Sequence, residues 1–292
     1  MKSLIKRVPL LGPLARASYH ALRAARERPA AQRVLREAAH PSGARVGRVL
    51  AALHAGEPAA GAETIAAIEK ERAALLASRA ALVDGSFAEP GLYDEGVSIA
   101  TACRVSKPRN AARLMYLLMR EFRPRRVIEL GTNVGISSAY QAAGLQANGD
   151  GGRLVTLEAS PYRQRLAREL HGRVGLHNVD HRLGLFDDTL DATVDEFGPF
   201  DFAFIDGHHQ YEPTLDYFDR IWRNATPQAL FIFDDIRWSD GMQRAWVALQ
   251  ADPRIELAVD LNSVGICVAS REPAADGRSL LPMIRYALEE TR

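Results

Sequence analysis

Val127-Ile-Glu-Leu-Gly131-Thr-Asn-Val-Gly135-Ile-Ser137-Ser138 is a short apolar run that closes on an acid and opens, through a glycine-bearing turn, onto a helical segment. The run up to Leu130 has the apolar, β-branched character of a buried strand. Glycine at 131 and 135 lets the backbone turn sharply and approach a ligand that a side chain would hold off. The N-terminus of the following helix offers unpaired N–H groups and a partial positive charge, a place for a carboxylate. The glycine spacing is GxxxG, not the GxGxxG by which dinucleotide folds approach a pyrophosphate. Glu129, just ahead of the turn, suits a cationic amino-acid moiety better. Alone, such a turn also fits any α/β protein.

Working outward, short apolar runs at 126–130, 153–157, 179–183, 200–205 and 229–233 read as strands. They alternate with helical segments at about 135–147, 161–172, 188–196, 211–224 and 239–250. That alternation is the mark of a parallel sheet wound with helices on both faces. The last two strands, 255–261 and 264–269, are joined only by Asn262-Ser263, which leaves no room for a crossover helix and requires an antiparallel hairpin. The expected fold class is therefore α/β, with a Rossmann-like, seven-stranded, mostly parallel sheet ending in that hairpin. A nicotinamide-binding domain would keep winding in parallel.

Upstream, Ile65, Ile68, Leu75, Leu76 and Leu82 recur near helical period, predicting a helix from Glu63 to about Val83 with a stop at Asp84-Gly85. A helix over 109–122 carries Ala112, Met115, Leu118 and Phe122 on one stripe and ends before Pro124. Residues 17–55 read as short helices and loops broken at Pro29, Pro41 and Gly43. The expected organisation is a basic, partly helical arm (1–60), a helical cap or linker (61–108), the α/β domain (109–270) and a tail with a short helix (271–292).

The 292-residue chain is 47% hydrophobic and 25% charged, which excludes a disordered, collagen-like or coiled-coil molecule. Cys103 and Cys267 are too few for a disulfide framework and too distant for a CxxC motif, so a reducing, cytoplasmic setting is expected. Residues 1–55 hold eleven Lys or Arg against two acids, a net of +9. The remainder holds 26 basic against 34 acidic residues, a net of −8. A basic arm on an acidic body suits an anionic surface, although a solvated charge run is the ordinary reading. Leu4, Val8, Leu11 and Tyr19 lie at helical spacing among basic residues, so residues 1–28 are a candidate for peripheral membrane contact. The plainer alternative is a helix packed on the body or against a second copy in a homodimer. Two prolines, a glycine and Arg16 argue against a signal peptide, and no apolar run reaches membrane-spanning length.

Further acids stand at successive strand ends. Glu158 closes Leu154-Val-Thr-Leu-Glu158, 27 residues after Gly131, where a carboxylate can accept both hydroxyls of a ribose. Leu183-Gly184-Leu-Phe-Asp187-Asp188 follows the third strand; Asp187 there could meet an adenine amino group or belong to an ordinary acidic turn. Phe202-Ala-Phe-Ile-Asp206-Gly-His208-His209 ends the fourth strand and sets histidines beside an acid, fit for proton transfer or metal binding. Phe231-Ile-Phe-Asp234-Asp235-Ile-Arg-Trp238 ends the fifth. Adjacent acids in a cleft repel unless a cation or donors compensate. Asp206, Asp234 and Asp235 would offer three oxygens to a hard cation such as Mg²⁺, with helix capping the alternative for Asp235.

From about Tyr93 to Ser270 the chain resembles a class I S-adenosylmethionine-dependent O-methyltransferase, of the branch that includes catechol O-methyltransferase and the macrocin and novobiocic acid sugar methyltransferases. It also resembles a group of bacterial methyltransferases with an ELGTxxGIS turn, a DGxH segment and an FDDIxWS segment, here Glu129–Ser137, Asp206–His209 and Phe233–Ser239. The resemblance implies that S-adenosyl-L-methionine is bound where Gly131 and Gly135 shape the turn beside Glu129. Ser137 would meet the methionine carboxylate, Glu158 the ribose and Asp187 the adenine, with Asp206 bordering the cofactor. It further implies a divalent cation held by Asp206, Asp234 and Asp235, and His208 or His209 as the base. The implied acceptor is a hydroxyl on a small molecule or glycan. Transfer without a metal and a non-catalytic S-adenosylmethionine-binding scaffold are the rivals. Nucleic acid is not an expected partner, because the body is acidic.

Overall fold

The structure is a computed structural model that describes residues 41–54, 60–82 and 97–272. Seven strands, β1 (Arg126–Leu130), β2 (Arg153–Glu158), β3 (Val179–Leu183), β4 (Phe200–Ile205), β5 (Ala225–Phe233), β6 (Ile255–Asp260) and β7 (Gly265–Ser270), form one sheet in the order β3-β2-β1-β4-β5-β7-β6. β1 to β5 pair in parallel, and β7 runs antiparallel between β5 and β6. The hairpin is present as expected. The winding direction reverses between β1 and β4, which leaves a crevice at their carboxyl ends where ligands of open α/β sheets bind.

Nine helices are described: α1 (Pro41–His54), α2 (Ala62–Ala77), α3 (Ile99–Arg104), α4 (Arg109–Phe122), α5 (Ile136–Asn148), α6 (Pro161–Arg173), α7 (Phe186–Phe197), α8 (Tyr211–Arg223) and α9 (Asp240–Ala251). Because side chains alternate along a strand, neighbouring residues feed opposite layers. Val127, Leu154, Phe202 and Leu230 pack with Leu118 of α4, Tyr140 of α5 and Leu170 of α6. Ile128, Val155, Ala203 and Phe231 pack with Leu190 of α7, Phe218 and Trp222 of α8 and Trp246 of α9. Local signals set the boundaries. Ser160 and Ser239 cap α6 and α9 by accepting from the Arg163 and Met242 amides, and α4 ends at Arg123, the residue before Pro124.

The helices upstream of residue 109 share the first of these cores, with Val46 and Leu50 of α1 and Ile65 and Ile68 of α2 fully enclosed. Three details differ from the sequence reading. Pro41 and Gly43 do not break α1, because they fall in its first turn, where proline forfeits no intrahelical bond. α2 stops at Ala77 instead of 83. The chain goes extended at Ser78, and Leu82 reaches the core through an antiparallel bridge in which its amide donates to the Val97 carbonyl. The short α3 was not expected; Ser98 caps it by accepting from the Thr101 amide. Both cysteines are free and buried. Among the described residues no helix is long and apolar enough to cross a membrane. The segment 1–28, the stop at Asp84-Gly85 and the tail beyond Glu272 lie outside the described residues.

Candidate functional site

The turn after β1 is built so that no side chain fits. Gly131 has φ 97°, and a Cβ there would lie 2.0 Å from the Asp206 carbonyl oxygen of the neighbouring strand end. Its amide donates to the Leu157 carbonyl and that of Asp206 to Leu130, locking β2, β1 and β4 together at their carboxyl ends. Gly135 has φ 89°, and a Cβ there would meet Ala167 of α6 at 2.8 Å. His171 approaches the same turn, its Nε2 3.1 Å from the Gly135 carbonyl. Its Nδ1 lies 3.3 Å from Nε2 of His181. Burial holds His171 down to about 4 and His181 to about 3, so both rings are neutral at physiological pH.

Glu129 is fully enclosed. Its carboxyl accepts from Thr156 Oγ1 at 2.6 Å and Gln141 Nε2 at 2.7 Å, and Ser137 bonds it as well. Burial pushes it up to about 8 against the pull of these donors, with the nearby Asp206 charge adding to the rise. Glu129 and Ser137 therefore stand behind the turn and hold it. Glu158, only 4% exposed, accepts from the amides of Asn133 at 2.7 Å and Ser160 at 2.9 Å. Asn133, at φ 48°, donates through Nδ2 to the Ala102 carbonyl and accepts from Arg163, tying the turn to α3 and α6. Asp187 stands apart at the first turn of α7, its side chain 73% exposed and 3.5 Å from Arg220. Leu183 and Leu185 beside it are exposed apolar surface.

At the ends of β4 and β5 the acids gather around Lys107 and His209. The Lys107 ammonium lies 3.5 Å from Asp206 Oδ2 and is paired with Oδ2 of Asp234, whose carboxylate is buried. His209 Nε2 sits 3.7 Å from Asp206 Oδ1 and 3.9 Å from Asp235 Oδ2. Asp235 adopts φ 49°, and its Oδ2 faces His209. His208, at φ 56°, turns the other way, and its Nδ1 is 2.8 Å from the Tyr217 hydroxyl. Of the two histidines, His209 faces the acids. Trp238, the neighbour of His209 with ring centroids 6.5 Å apart, is 73% exposed at the rim. A shallow depression of about 650 Å³ between α8 and α9, lined by Tyr211, Glu212, Gln243, Arg244 and Val247, holds none of these acids or histidines.

The donor set can be tested against the groups the resemblance implies. The close backbone approach at Gly131, the N-terminus of α5 and the enclosed Glu158 suit an adenosyl amino acid. The three aspartates do not form a divalent-metal set. Among the described residues no group of three or more His, Cys, Asp or Glu side chains is arranged to hold a metal ion. The expected ligands Asp206 and Asp234 converge instead on the ammonium of Lys107, and the third, Asp235, belongs to His209.

Lys107 is the residue the sequence reading missed. It lies in the linker between α3 and α4, upstream of every motif, and reaches the crevice only through the tertiary fold. One signal was present. The chain has four lysines, Lys2, Lys6, Lys70 and Lys107, and every basic residue after 107 is arginine.

Residues 128–236 match a protein-family profile described as "Methyltransferase domain". A catechol O-methyltransferase of Niastella koreensis is 34% identical over 134 residues, covering 45% of this chain and 58% of that protein. A catechol O-methyltransferase of Mycobacterium tuberculosis is 32% identical over 134 residues, covering 46% of this chain and 58% of that protein. The chain thus spans somewhat more than half the length of the curated relatives it matches. In fold it is similar to an O-methyltransferase from Bacillus cereus solved in complex with SAH, with a TM-score of 0.53 and 24% identity over 77% of this chain and 96% of the other. The profile match over residues 128–236 and these relatives make the chain similar to methyltransferases, and its sheet, with the antiparallel β5-β7-β6 end, is similar in fold to a solved O-methyltransferase.

Proposed function

We propose that this protein transfers a methyl group from S-adenosylmethionine to a hydroxyl oxygen of a small-molecule or sugar acceptor. The observation that carries the reading is the crowded turn at Gly131, set between two groups of strand-end carboxylates at the crevice where the winding reverses between β1 and β4. When bound, S-adenosylmethionine supplies a methyl group already activated by the sulfonium charge. Gly131 and Gly135 let the backbone come close to the methionine end, with the α5 N-terminus toward its carboxylate. Glu129 and Ser137 hold that turn from behind. Glu158 receives the ribose hydroxyls, and Asp187 borders the adenine.

On the other side of the crevice, His209 takes the proton of the acceptor hydroxyl through Nε2, and Asp206 and Asp235 orient its ring and favour the imidazolium that forms. His208, bonded to Tyr217, shapes the loop that carries it. A positioned base contributes about 10²–10⁴-fold and alignment on the order of 7–11 kcal/mol, enough for transfer without a covalent intermediate. The arrangement of the aspartates around Lys107 and His209 does not fit a divalent cation. Calorimetric titration with S-adenosylhomocysteine, followed by transfer of labelled methyl to a panel of catechols and vicinal diols, tests the reading. Micromolar binding and a methylated oxygen are expected; binding with no transfer to any acceptor would favour the S-adenosylmethionine-binding scaffold, and absence of binding would overturn the reading outright.

A further inference from the structure

We infer that Lys107 supplies the cation of this site, its ammonium standing between Asp206 and Asp234 in place of a divalent metal, so that methyl transfer needs none. The methyl-transfer half of the inference rests on the function proposed above; the position of the cation does not. Two carboxylates that converge on one point in a crevice need a positive charge there. The structure places the Nζ of Lys107 at that point, with its side chain only 11% exposed.

The chain holds Lys107 there from both sides. Arg72 of α2 donates through NH1 to the Lys107 carbonyl at 2.6 Å, while its Nε pairs with Glu69, which also accepts from the Tyr140 hydroxyl of α5. Pro108 follows, fixing its own φ at −59° and keeping Lys107 out of the helix. The Asn133 side chain of the β1 turn bonds the same segment at Ala102 and Ser106. The stalk is thereby fastened to α2 and to the turn proposed to receive the methionine end.

Residue choice agrees with the position. In a chain that uses arginine for 33 of its 37 basic residues, lysine at 107 gives a compact point charge with three donors, where a guanidinium is planar and wider. Two donors serve Asp206 and Asp234, and the third is directed to the acceptor oxygen, which gains the negative charge as its proton passes to His209. Magnesium would demand near-octahedral oxygen ligation at about 2.1 Å. Asp235 is met by His209, and the ammonium stands in the space between the other two carboxylates.

Manganese binding to the full chain, followed by electron paramagnetic resonance of the free ion, reads the position of the cation whatever the enzyme does. Wild type and Lys107→Arg are expected to take up no Mn²⁺ with a Kd of about 1 mM or tighter, and Lys107→Ala to bind at least about tenfold more tightly than wild type. Lys107→Gln replaces the alanine variant if a thermal melt shows the latter unfolded. Saturable uptake by wild type within that range, or no gain in a folded variant lacking the charge, overturns the inference. In the transfer assay, wild-type turnover is expected to stay within about twofold in excess chelator, whereas Lys107→Ala turns over slowly and is stimulated by Mg²⁺. A larger fall of wild type on chelation overturns it too. If S-adenosylhomocysteine does not bind and no acceptor is methylated, the function proposed above fails, and the manganese titration still decides where the cation comes from.

Discussion

The two halves of the crevice solve one electrostatic problem in different ways. On the β1–β2 side, the enclosed Glu129 accepts from hydroxyls and an amide side chain, and the enclosed Glu158 accepts from two backbone N–H groups. On the β4–β5 side, Asp206, Asp234 and Asp235 are compensated by Lys107 and His209. Burial raises Glu129 to about 8 against the pull of its donors. The first side can thus act as a rigid receptor and the second as the place where charge moves during a reaction.

Gly131 joins the halves, so replacing it is expected to have the largest effect. Gly131→Ala drives a Cβ onto the Asp206 carbonyl and strains a backbone at φ 97°. A loss of roughly 3 kcal/mol or more of stability, together with cofactor binding, is expected. A variant with unchanged melting and unchanged S-adenosylhomocysteine affinity would show that the halves are not joined there.

Next come the paired histidines, which sharpen the contrast on the cation-rich side. His209→Ala is expected to lower kcat by about 10²–10⁴-fold with little change in S-adenosylhomocysteine affinity. His208→Ala loses its bond to Tyr217 and is expected to act on stability, by roughly 1 kcal/mol, more than on turnover. Equal kcat losses in the two variants would remove the distinction.

A last comparison separates the halves by pH. The native Glu129 carboxyl is raised from the ordinary 4.5 to about 8, so between those values the unfolded chain gives up a proton that the native protein keeps. Stability from this group is therefore greatest below about pH 4.5 and falls as pH rises toward 8, by about 5 kcal/mol at most. Glu129→Gln is expected to flatten that slope in denaturant titrations. An unaltered slope would mean that Glu129 is already ionised in the native protein.

Much of the β1–β2 side was legible in the sequence because its parts are contiguous. One twelve-residue stretch holds the strand, both glycines and the acid, and the strand periodicity places Glu158, Asp206 and Asp234 at carboxyl ends by alternation alone. The two-residue link at Asn262-Ser263 forced the antiparallel hairpin. The boundaries of α1 and α2 were less legible: proline in a first turn and proline as a breaker look alike, and an apolar Leu82 serves a bridge as well as a helix.

Sequence by itself thus determined the α/β architecture, the hairpin that closes the sheet and which acids stand at its strand ends, since these follow from short-range periodicity and turn length. Only the tertiary structure decided what those acids meet. Lys107 lies 99 residues from Asp206 and 127 from Asp234 along the chain, and enters the crevice because Arg72, Pro108 and Asn133 fix the α3–α4 linker over the β1 turn. The same long-range packing turned His209 toward the acids and His208 toward Tyr217, although they are adjacent in sequence. Charge compensation depends on distance in space, and no local pattern encodes which of 37 basic residues the fold will bring to a given carboxylate.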